Sequence, residues 1–540
     1  MCNVIGERKT VMEATDHDST VDPAAVRRHR MLFRAIEKRR NPKLRRSDIT
    51  VTDEAAVKRA TKAAALGNAM EWYDFGIYSY LAATLGQVFF PSGNHTAQLL
   101  SSFATFAVAF LVRPIGGMVL GPLGDKIGRK TILALTMIMM ALGTFAIGLI
   151  PSHATIGLWA PALLIFFRLV QGFSTGGEYG GASTFIAEYA PDKRRGYFGS
   201  FLEFGTLGGY VGASGLVVAM SSFLSDEQML HWGWRVPFLV AAPLGFIGLY
   251  LRLKLDETPA FQKLEGGLAK ATEAADSVET SAAADLGKIF TRHWRPLLLC
   301  IALVAGYNVT DYMLLSYMPT YLSDELGYDT NHGLLILLIV MVLQMCVINQ
   351  VGRLSDRFGR KPLLMTGMLG FLFLSVPSFL LIRQGDVALI VLGLLLLGLS
   401  LVTMLGTMSA ALPAIFPTHV RYGSLSVAYN FSTSLFGGTT PLVITALIGV
   451  YHTNLVPAYY AVIAAAVGAI AVLCMKETAN KPLEGSPPSV ESEAEAAQLV
   501  RPSRPTRSSD RVLPGKPQGE QGDVVVEQLA AARDQLGAQP

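Results

Sequence analysis

The chain has 540 residues, of which 51% are hydrophobic and only 16% charged, with a mean hydropathy of +0.39. Water-soluble domains carry about 25% charged residues, so most of this chain faces something other than water. The net charge of +4 falls on alternate loops, as shown next, and implies no nucleic-acid partner.

Residues 1–60 are polar and basic, with Arg27, Arg28, Arg30, Lys38, Arg39 and Arg40. They lack the apolar core of a cleavable signal peptide and read as a solvated tail able to touch anionic lipid. Apolar runs of about 20 residues, the length that spans a bilayer, then recur. They lie near 62–88, 98–122, 131–150, 159–187, 198–222, 235–254, 296–322, 333–352, 363–382, 388–416, 424–450 and 456–475. This predicts about twelve helices: one bundle over 61–254, a cytoplasmic linker over 255–293 and a second bundle over 294–476. A cytoplasmic tail over 477–540, rich in Pro, Ser, Gln and Glu from 482 onward, reads as largely disordered. Within it, Val525, Leu529, Ala532 and Leu536 offer two heptads at most, too few for a coiled coil.

Lys and Arg orient the chain. The connections near 90–97, 151–158, 223–234, 323–332 and 451–455 contain neither residue, whereas Lys126, Arg129, Lys130, Lys193, Arg194, Arg195, Arg353, Arg357, Arg360, Lys361 and Arg421 mark the alternate ones. Both termini fall on the basic, cytoplasmic side. Cys2, Cys300, Cys346 and Cys474 are scattered without C-x-x-C spacing, so they read as packing residues, and no metal or cofactor is expected.

One loop occurs twice. Gly121-Pro122-Leu123-Gly124-Asp125-Lys126-Ile127-Gly128-Arg129-Lys130 returns, 231 residues on (Gly121 to Gly352), as Gly352-Arg353-Leu354-Ser355-Asp356-Arg357-Phe358-Gly359-Arg360-Lys361. A charged, glycine-bearing loop repeated once per half, each copy between apolar spans, indicates two related membrane halves. That is the organisation of a carrier that rocks one half against the other.

Charges inside spans are the next signal, since each costs about 2.5–3.5 kcal/mol at mid-bilayer on insertion scales. The first span carries Asn68, Glu71 and Asp74 at three-residue spacing on one helix face, interleaved with Trp72 and Tyr73. This face is expected to line a cavity, with a charge pair to Arg113 or Arg168 as the alternative. Arg113 itself is placed near the cytoplasmic end of the second span. On the fourth span Arg168, Gln171, Thr175 and Glu178 lie within roughly 80° of one face. Gly176, Gly177, Gly180 and Gly181 there serve close packing. Glu203 lies on the fifth span beside Gly205, Gly208, Gly209 and Gly212. On the seventh, Tyr307, Asn308, Asp311 and Tyr312 cluster, and Asn308 and Asp311 echo Asn68 and Glu71 at an offset of 240 (Asn68 to Asn308).

The duplicated loop G-x-L-x-D-x-x-G-R-K resembles the signature of the major facilitator superfamily, whose members are all-α membrane proteins of twelve helices in two pseudo-symmetric six-helix bundles. Within it, G-N-A-M-E-W-Y-D-F-G (67–76), Q-G-F-S-T-G-G-E-Y-G-G-A (171–182) and P-D-K-R-R-G-Y-F-G-S (191–200) resemble the metabolite:proton symporter family. Segments 256–261, 312–319, 412–422 and 475–483 bring the resemblance to its osmoregulatory proline and glycine betaine branch, over roughly residues 45–485. Two departures stand out. The osmosensing members carry a long C-terminal coiled coil, which this chain lacks, and the family has an aromatic residue where Asp311 stands. The similarity also begins well after Met1, so residues 1–30 read as an upstream extension and Met31 as an alternative start.

The resemblance implies proton-coupled uptake of a zwitterionic compatible solute, proline or glycine betaine, across a bacterial cytoplasmic membrane, by a monomer or a weak homodimer. It also implies that Gly121, Asp125, Gly128, Arg129, Lys130 and their repeats Gly352, Asp356, Gly359, Arg360 and Lys361 form a cytoplasmic gate, through charge pairs and a helix-terminus interaction. The chemistry fits. An ammonium group suits aromatic faces, for which Trp72, Tyr73, Tyr307 and Tyr312 are available. The solute carboxylate suits Arg168 or Arg113, and a proton suits a buried acid among Glu71, Asp74, Glu178 and Glu203. A dicarboxylate, citrate or shikimate cargo is the alternative, and a non-transporting receptor a more distant one. Catalysis is not expected, since no soluble segment offers a nucleophile–base pair, metal spacing or phosphate loop.

Overall fold

The computed structural model describes residues 46–127, 129–253, 293–418 and 420–500. The linker, most of the basic N-terminal segment and the Val525–Leu536 heptads lie outside them. The helices of eight or more residues are α1 (Glu54–Tyr80), α2 (Ala82–Phe89), α3 (His95–Ile127), α4 (Arg129–Leu149), α5 (Trp159–Thr175), α6 (Glu178–Tyr189), α7 (Arg195–Phe223), α8 (Arg235–Leu253), α9 (Trp294–Tyr312), α10 (Thr330–Phe358), α11 (Arg360–Ile382), α12 (Val387–Ala411), α13 (Arg421–Ser432), α14 (Thr440–Tyr451), α15 (Val456–Cys474) and α16 (Glu493–Val500). Two-residue strands β1 (Thr50–Val51) and β2 (Ser489–Val490) pair in parallel.

Helices are the answer to a chain in lipid, because each backbone group must find its partner within its own segment. With α1–α2, α5–α6 and α13–α14 each forming one interrupted crossing, the segments make the twelve crossings of two six-helix bundles. Eight helical stretches among the described residues are long and apolar enough to span a bilayer, and a ninth forms where Asp226–Gly233 meets Arg235–Tyr250 at a 45° bend. The three remaining crossings fall short for physical reasons. The first carries Glu71 and Asp74 together with Lys58, Arg59 and Lys62. The third keeps only Ala134–Leu149 as apolar helix, and the fourth is broken between Thr175 and Glu178.

Small residues set the helix spacing. A Cβ on Gly205 or Gly209 of α7 would come within 2.2 or 2.3 Å of the Ala65 or Ala69 carbonyl oxygen of α1. Gly176, expected to serve packing, lies where a Cβ would meet the Arg113 carbonyl at 2.2 Å, and at Gly180 it would meet Ser426 Oγ at 2.4 Å. Gly177 and Gly181 have more room, with only Tyr422 nearby at 3.6 and 3.3 Å.

The segment after α15 departs from the sequence reading. Residues 482–500, read as part of a disordered tail, run back across the face that carries the repeated loop and bind both halves. Arg421 donates to the Glu484 carbonyl at 3.1 Å, and the Ser489 amide donates to Asp192 at 3.1 Å. Beyond β2, Arg46 meets Glu493 at 2.5 Å, Lys193 meets Glu495 at 2.5 Å and Arg194 meets Glu491 at 3.4 Å. Composition alone favours disorder here; the opposite charges of residues 46, 193 and 194 provide the surface that orders the strap. Removing residues 501–540 should leave the thermal midpoint in detergent unchanged, whereas removing 485–540 should lower it by a few degrees. Each exposed pair is worth about 0.2–1 kcal/mol, and 1 kcal/mol moves the midpoint of a large domain by about 2–4 °C. Near-UV circular dichroism on the two truncations decides this, and equal midpoints would rule the strap out as a stabilising element.

Candidate functional site

All fourteen residues expected to face a central cavity are buried, none more than 6% exposed. The single polar face expected on α1 fans out to three neighbours. Asn68 donates to the Leu202 carbonyl at 2.8 Å and to Thr206 Oγ1 at 2.6 Å on α7. Glu71 forms an ion pair with Arg113 on α3, so the charge-pair alternative holds for this residue. Asp74 accepts from Thr144 Oγ1 on α4 at 2.7 Å. Thr144 in turn accepts from Gln171, which accepts from Arg168 Nη1 at 3.0 Å. Glu178 accepts from Thr136 Oγ1 at 2.6 Å. Removing one partner of a buried pair such as Glu71–Arg113 costs about 3–5 kcal/mol, so these links fix α1, α3, α4 and α5 as one block.

Arg113 lies on α3, seven residues before the end of its apolar stretch His95–Leu120. Its guanidinium sits 5.3 Å from the Phe110 ring and 5.5 Å from the Phe75 ring. Arg168 lies 4.1 Å from the Tyr78 ring and 5.5 Å from Phe75. Tyr73 is directed elsewhere: its hydroxyl donates to the Pro237 carbonyl of α8 at 3.0 Å, which packs the first half rather than facing the second.

Between the halves lies a cluster of rings and acids. Tyr179 of α6 stacks on Tyr429 of α13, centroids 3.8 Å apart and 5° from parallel. Trp72 is 5.6 Å from Tyr312 and 5.3 Å from Tyr210, and Phe110 is 5.4 Å from Tyr312. Glu203 accepts from Tyr179 at 2.5 Å, from Thr206 at 2.9 Å and from Tyr307 of the other half at 3.5 Å. Asn308 donates to Thr433 at 2.8 Å. Asp311 lies on α9, fully buried. The Tyr179–Tyr429 stack escaped the sequence reading; the one available signal is that Tyr179 follows Glu178 directly.

The ends of the halves that carry the repeated loop are closed. Asp356 accepts from the Gly196 amide at 2.7 Å and the Tyr197 amide at 2.8 Å, so its carboxylate sits at the N-terminus of α7 in the opposite half, where a helix favours an anion. Gly352 permits the approach, since a Cβ there would lie 2.7 Å from the Gly196 carbonyl. Gly359 turns the chain at φ 106°. The side chains of Arg360 and Lys361 bond elsewhere. Arg360 donates to the Ala410 carbonyl and to Thr478, and Lys361 to the Leu473 and Met475 carbonyls, all within the second half or its extension. The expected helix-terminus interaction is thus made by two amides, with the Arg360 and Arg195 guanidiniums close enough to act on the same carboxylate. Glu477 accepts from the amides of Arg360, Lys361, Thr478 and Ala479. Burial opposes its charge, but those amides hold its carboxyl below the usual range, so this cap is intact above that range and lost only as pH falls through the lowered value. Arg421 adds an inter-half ion pair with Glu188 at 2.7 Å. Gly128 and the side chains of Asp125, Arg129 and Lys130 lie outside the described residues, and Gly121 falls within α3.

The opposite ends meet as well. Tyr80 donates to the Leu315 carbonyl at 2.9 Å, the Tyr210 and Ser316 hydroxyls lie 2.9 Å apart, and His95 reaches Asp324 at 3.3 Å. The two halves therefore touch at both ends of the seam.

Two bundles closed around buried acids and rings are the architecture of a solute carrier. The chain belongs to the sugar (and other) transporter family of the major facilitator fold, whose family model matches residues 60–488. The glycine betaine/proline/ectoine/pipecolic acid transporter OusA of Dickeya dadantii is 48% identical over 454 residues, 84% of this chain and 90% of that protein. A proline/betaine transporter of Salmonella typhimurium is 48% identical over 457 residues, covering 84% and 90%. The ectoine/proline transporter ProP of Corynebacterium glutamicum is 43% identical, covering 85% and 92%. Among solved structures, the proton:xylose symporter XylE superposes with a TM-score of 0.63 at 21% identity over 80% of this chain and 98% of its own, which shows the shared fold.

Asp356→Asn should slow solute turnover while leaving equilibrium solute affinity within a few-fold, because the carboxylate touches only the seam. Binding and flux measured on the same preparation test this, and a large loss of affinity with intact turnover would remove Asp356 from the gate.

Proposed function

We propose that this transporter performs proton-coupled uptake of a zwitterionic compatible solute, proline or glycine betaine, across a bacterial cytoplasmic membrane, with both termini inside. The names of the relatives support the solute class. The observation that carries the reading is the meeting, at one buried place between the halves, of a guanidinium held by one edge only (Arg113) with aromatic faces from both halves. A carboxylate suits the free edge of Arg113. An ammonium suits the rings of Trp72, Tyr179, Tyr312 and Tyr429, at about 0.5–2 kcal/mol each. Moving a zwitterion with one proton moves one net charge, so each 100 mV of membrane potential supplies about 2.3 kcal/mol.

Glu203 is the acid best suited to carry the proton. Its partners are three hydroxyls, from Tyr179, Thr206 and Tyr307, which can donate to the carboxylate or rotate to accept from the acid. Glu71 is committed to its ion pair with Arg113. Tyr307 belongs to the second half, so the state of Glu203 is tied to how the halves meet.

A dicarboxylate cargo keeps a place as second reading for one reason: Arg113 and Arg168 both stand 5.5 Å from the Phe75 ring, and two cations suit a dianion. Labelled proline uptake into proteoliposomes with an imposed pH gradient separates the two, with glycine betaine and 2-oxoglutarate as competitors. Competition by betaine alone is expected; competition by 2-oxoglutarate alone overturns the zwitterion reading. In the same vesicles Glu203→Gln should abolish uphill uptake, at least tenfold down, yet spare proline exchange, which needs no net proton release. Retained accumulation would move the proton to Asp74, Glu178 or Asp311.

A further inference from the structure

Folded proteins leave few buried polar atoms without a hydrogen bond, yet several meet at the seam. Trp72 Nε1, Arg113 Nε and Nη1, the hydroxyls of Tyr312 and Tyr429, and both carboxyl oxygens of Asp311 have no partner among the described residues. Asp311 is the most exposed to this cost, because an unpartnered carboxyl is the most expensive of these groups to bury. The internal duplication shows why no cation stands beside it. Counting back eight residues from the repeated loop glycines Gly121 and Gly352 reaches Arg113 on α3 and Gln344 on α10. Arg113 neutralises Glu71, whereas Gln344 donates its amide to the Gly398 carbonyl at 2.8 Å. The echo of Glu71 in the second half therefore faces no cation.

What does surround Asp311 has one electrostatic character. Tyr80, Tyr179, Tyr210, Tyr307, Tyr312 and Tyr429 are close enough to feel its charge, and so is the carboxyl of Glu203. Ring faces and acids together attract a cation and repel an anion. Tyr312, the next residue, lies 5.4 Å from Phe110, whose ring carries the Arg113 guanidinium at 5.3 Å, and both Asp311 and Arg113 act on Tyr312, so a cation-seeking place and an anion-seeking place both adjoin it.

Building on the zwitterion reading, we propose that Asp311 binds the cationic nitrogen of the solute and selects solutes whose nitrogen bears hydrogens over quaternary ones. A secondary ammonium such as that of proline donates N–H bonds to the carboxylate and also rests on the rings. A quaternary ammonium has no N–H to donate, so it gains from the rings and from unpaired charge alone. Removing the charge of Asp311 then removes more from proline than from glycine betaine.

Equilibrium binding of labelled proline and of labelled glycine betaine to the purified full chain in lipid nanodiscs tests this, in wild type, Asp311→Asn, Asp311→Ser and Asp311→Glu. The expected result is a loss of about tenfold or more in proline affinity in the Asn and Ser variants, the size of a lost charge-assisted hydrogen bond. Betaine binding falls less than about threefold and reports an intact fold, and the Glu variant keeps the wild-type preference. Unchanged binding of both solutes in Asn and Ser, or an equal fall of both, overturns the proposal while leaving the transport reading in place. So does a defect confined to uphill uptake with binding intact, which would make Asp311 a proton carrier. A wild-type protein that binds 2-oxoglutarate but neither zwitterion overturns both, and the wild-type arm alone distinguishes that outcome.

Discussion

A charge buried in a lipid-embedded bundle has to be answered within the protein, since burial without a partner costs several kcal/mol. The arrangement of this chain follows from where those answers are found. Glu71 finds Arg113, Asp74 finds Thr144, and Glu178 finds Thr136; all three are answered inside the first half and tie it into a rigid block. Glu203 is answered by hydroxyls from both halves. Rigid blocks joined by adjustable contacts are what alternating access requires, and the polar groups divide between those two duties.

The two ends of the seam are held by different physics. The end that carries the repeated loop uses charged side chains: Asp356 on the α7 amides, Glu188 with Arg421, and the strap of residues 482–500 with its three ion pairs. The opposite end relies mostly on neutral hydroxyl bonds and on ring contacts such as Phe103 with Tyr317 at 5.9 Å. Charge-assisted bonds are roughly twice as strong as neutral ones, though the exposed pairs in the strap are weakened by salt. The loop-bearing end is thus the more firmly closed and also the more sensitive to ionic strength.

Much of this was legible in the sequence because membrane burial leaves coarse marks. Spans appear as apolar runs, the orientation as alternating Lys and Arg, and the duplication as a repeated loop. Buried charges stand out by rarity, which is why Glu71, Arg168, Glu203 and Asp311 could be named. Their partners could not. Thr144, Thr136 and Thr206 are unremarkable by type, and pairing depends on helix rotation and height, which one helix's periodicity does not determine. The tail was misread because its order comes from charges 300 residues or more away, on Lys193 and Arg46, and not from its own composition.

The repeat also shows how a symmetric scaffold acquires an asymmetric task. Asn68 of α1 donates to Thr206 of α7, and Asn308 of α9 donates to Thr433 just past α13, so one hydrogen bond is kept between equivalent helices of each half. Three residues further along, the equivalence ends: Glu71 has a guanidinium, whereas Asp311 has a glutamine on the corresponding helix that is occupied elsewhere. Backbone packing requires the first kind of contact in both halves, because either half must hold its helices together in every conformation. It requires the second in neither. A solute with two unlike charges needs unlike surroundings at its two ends, and a duplicated fold can supply them where its two copies carry different residues at equivalent places, as at Arg113 and Gln344.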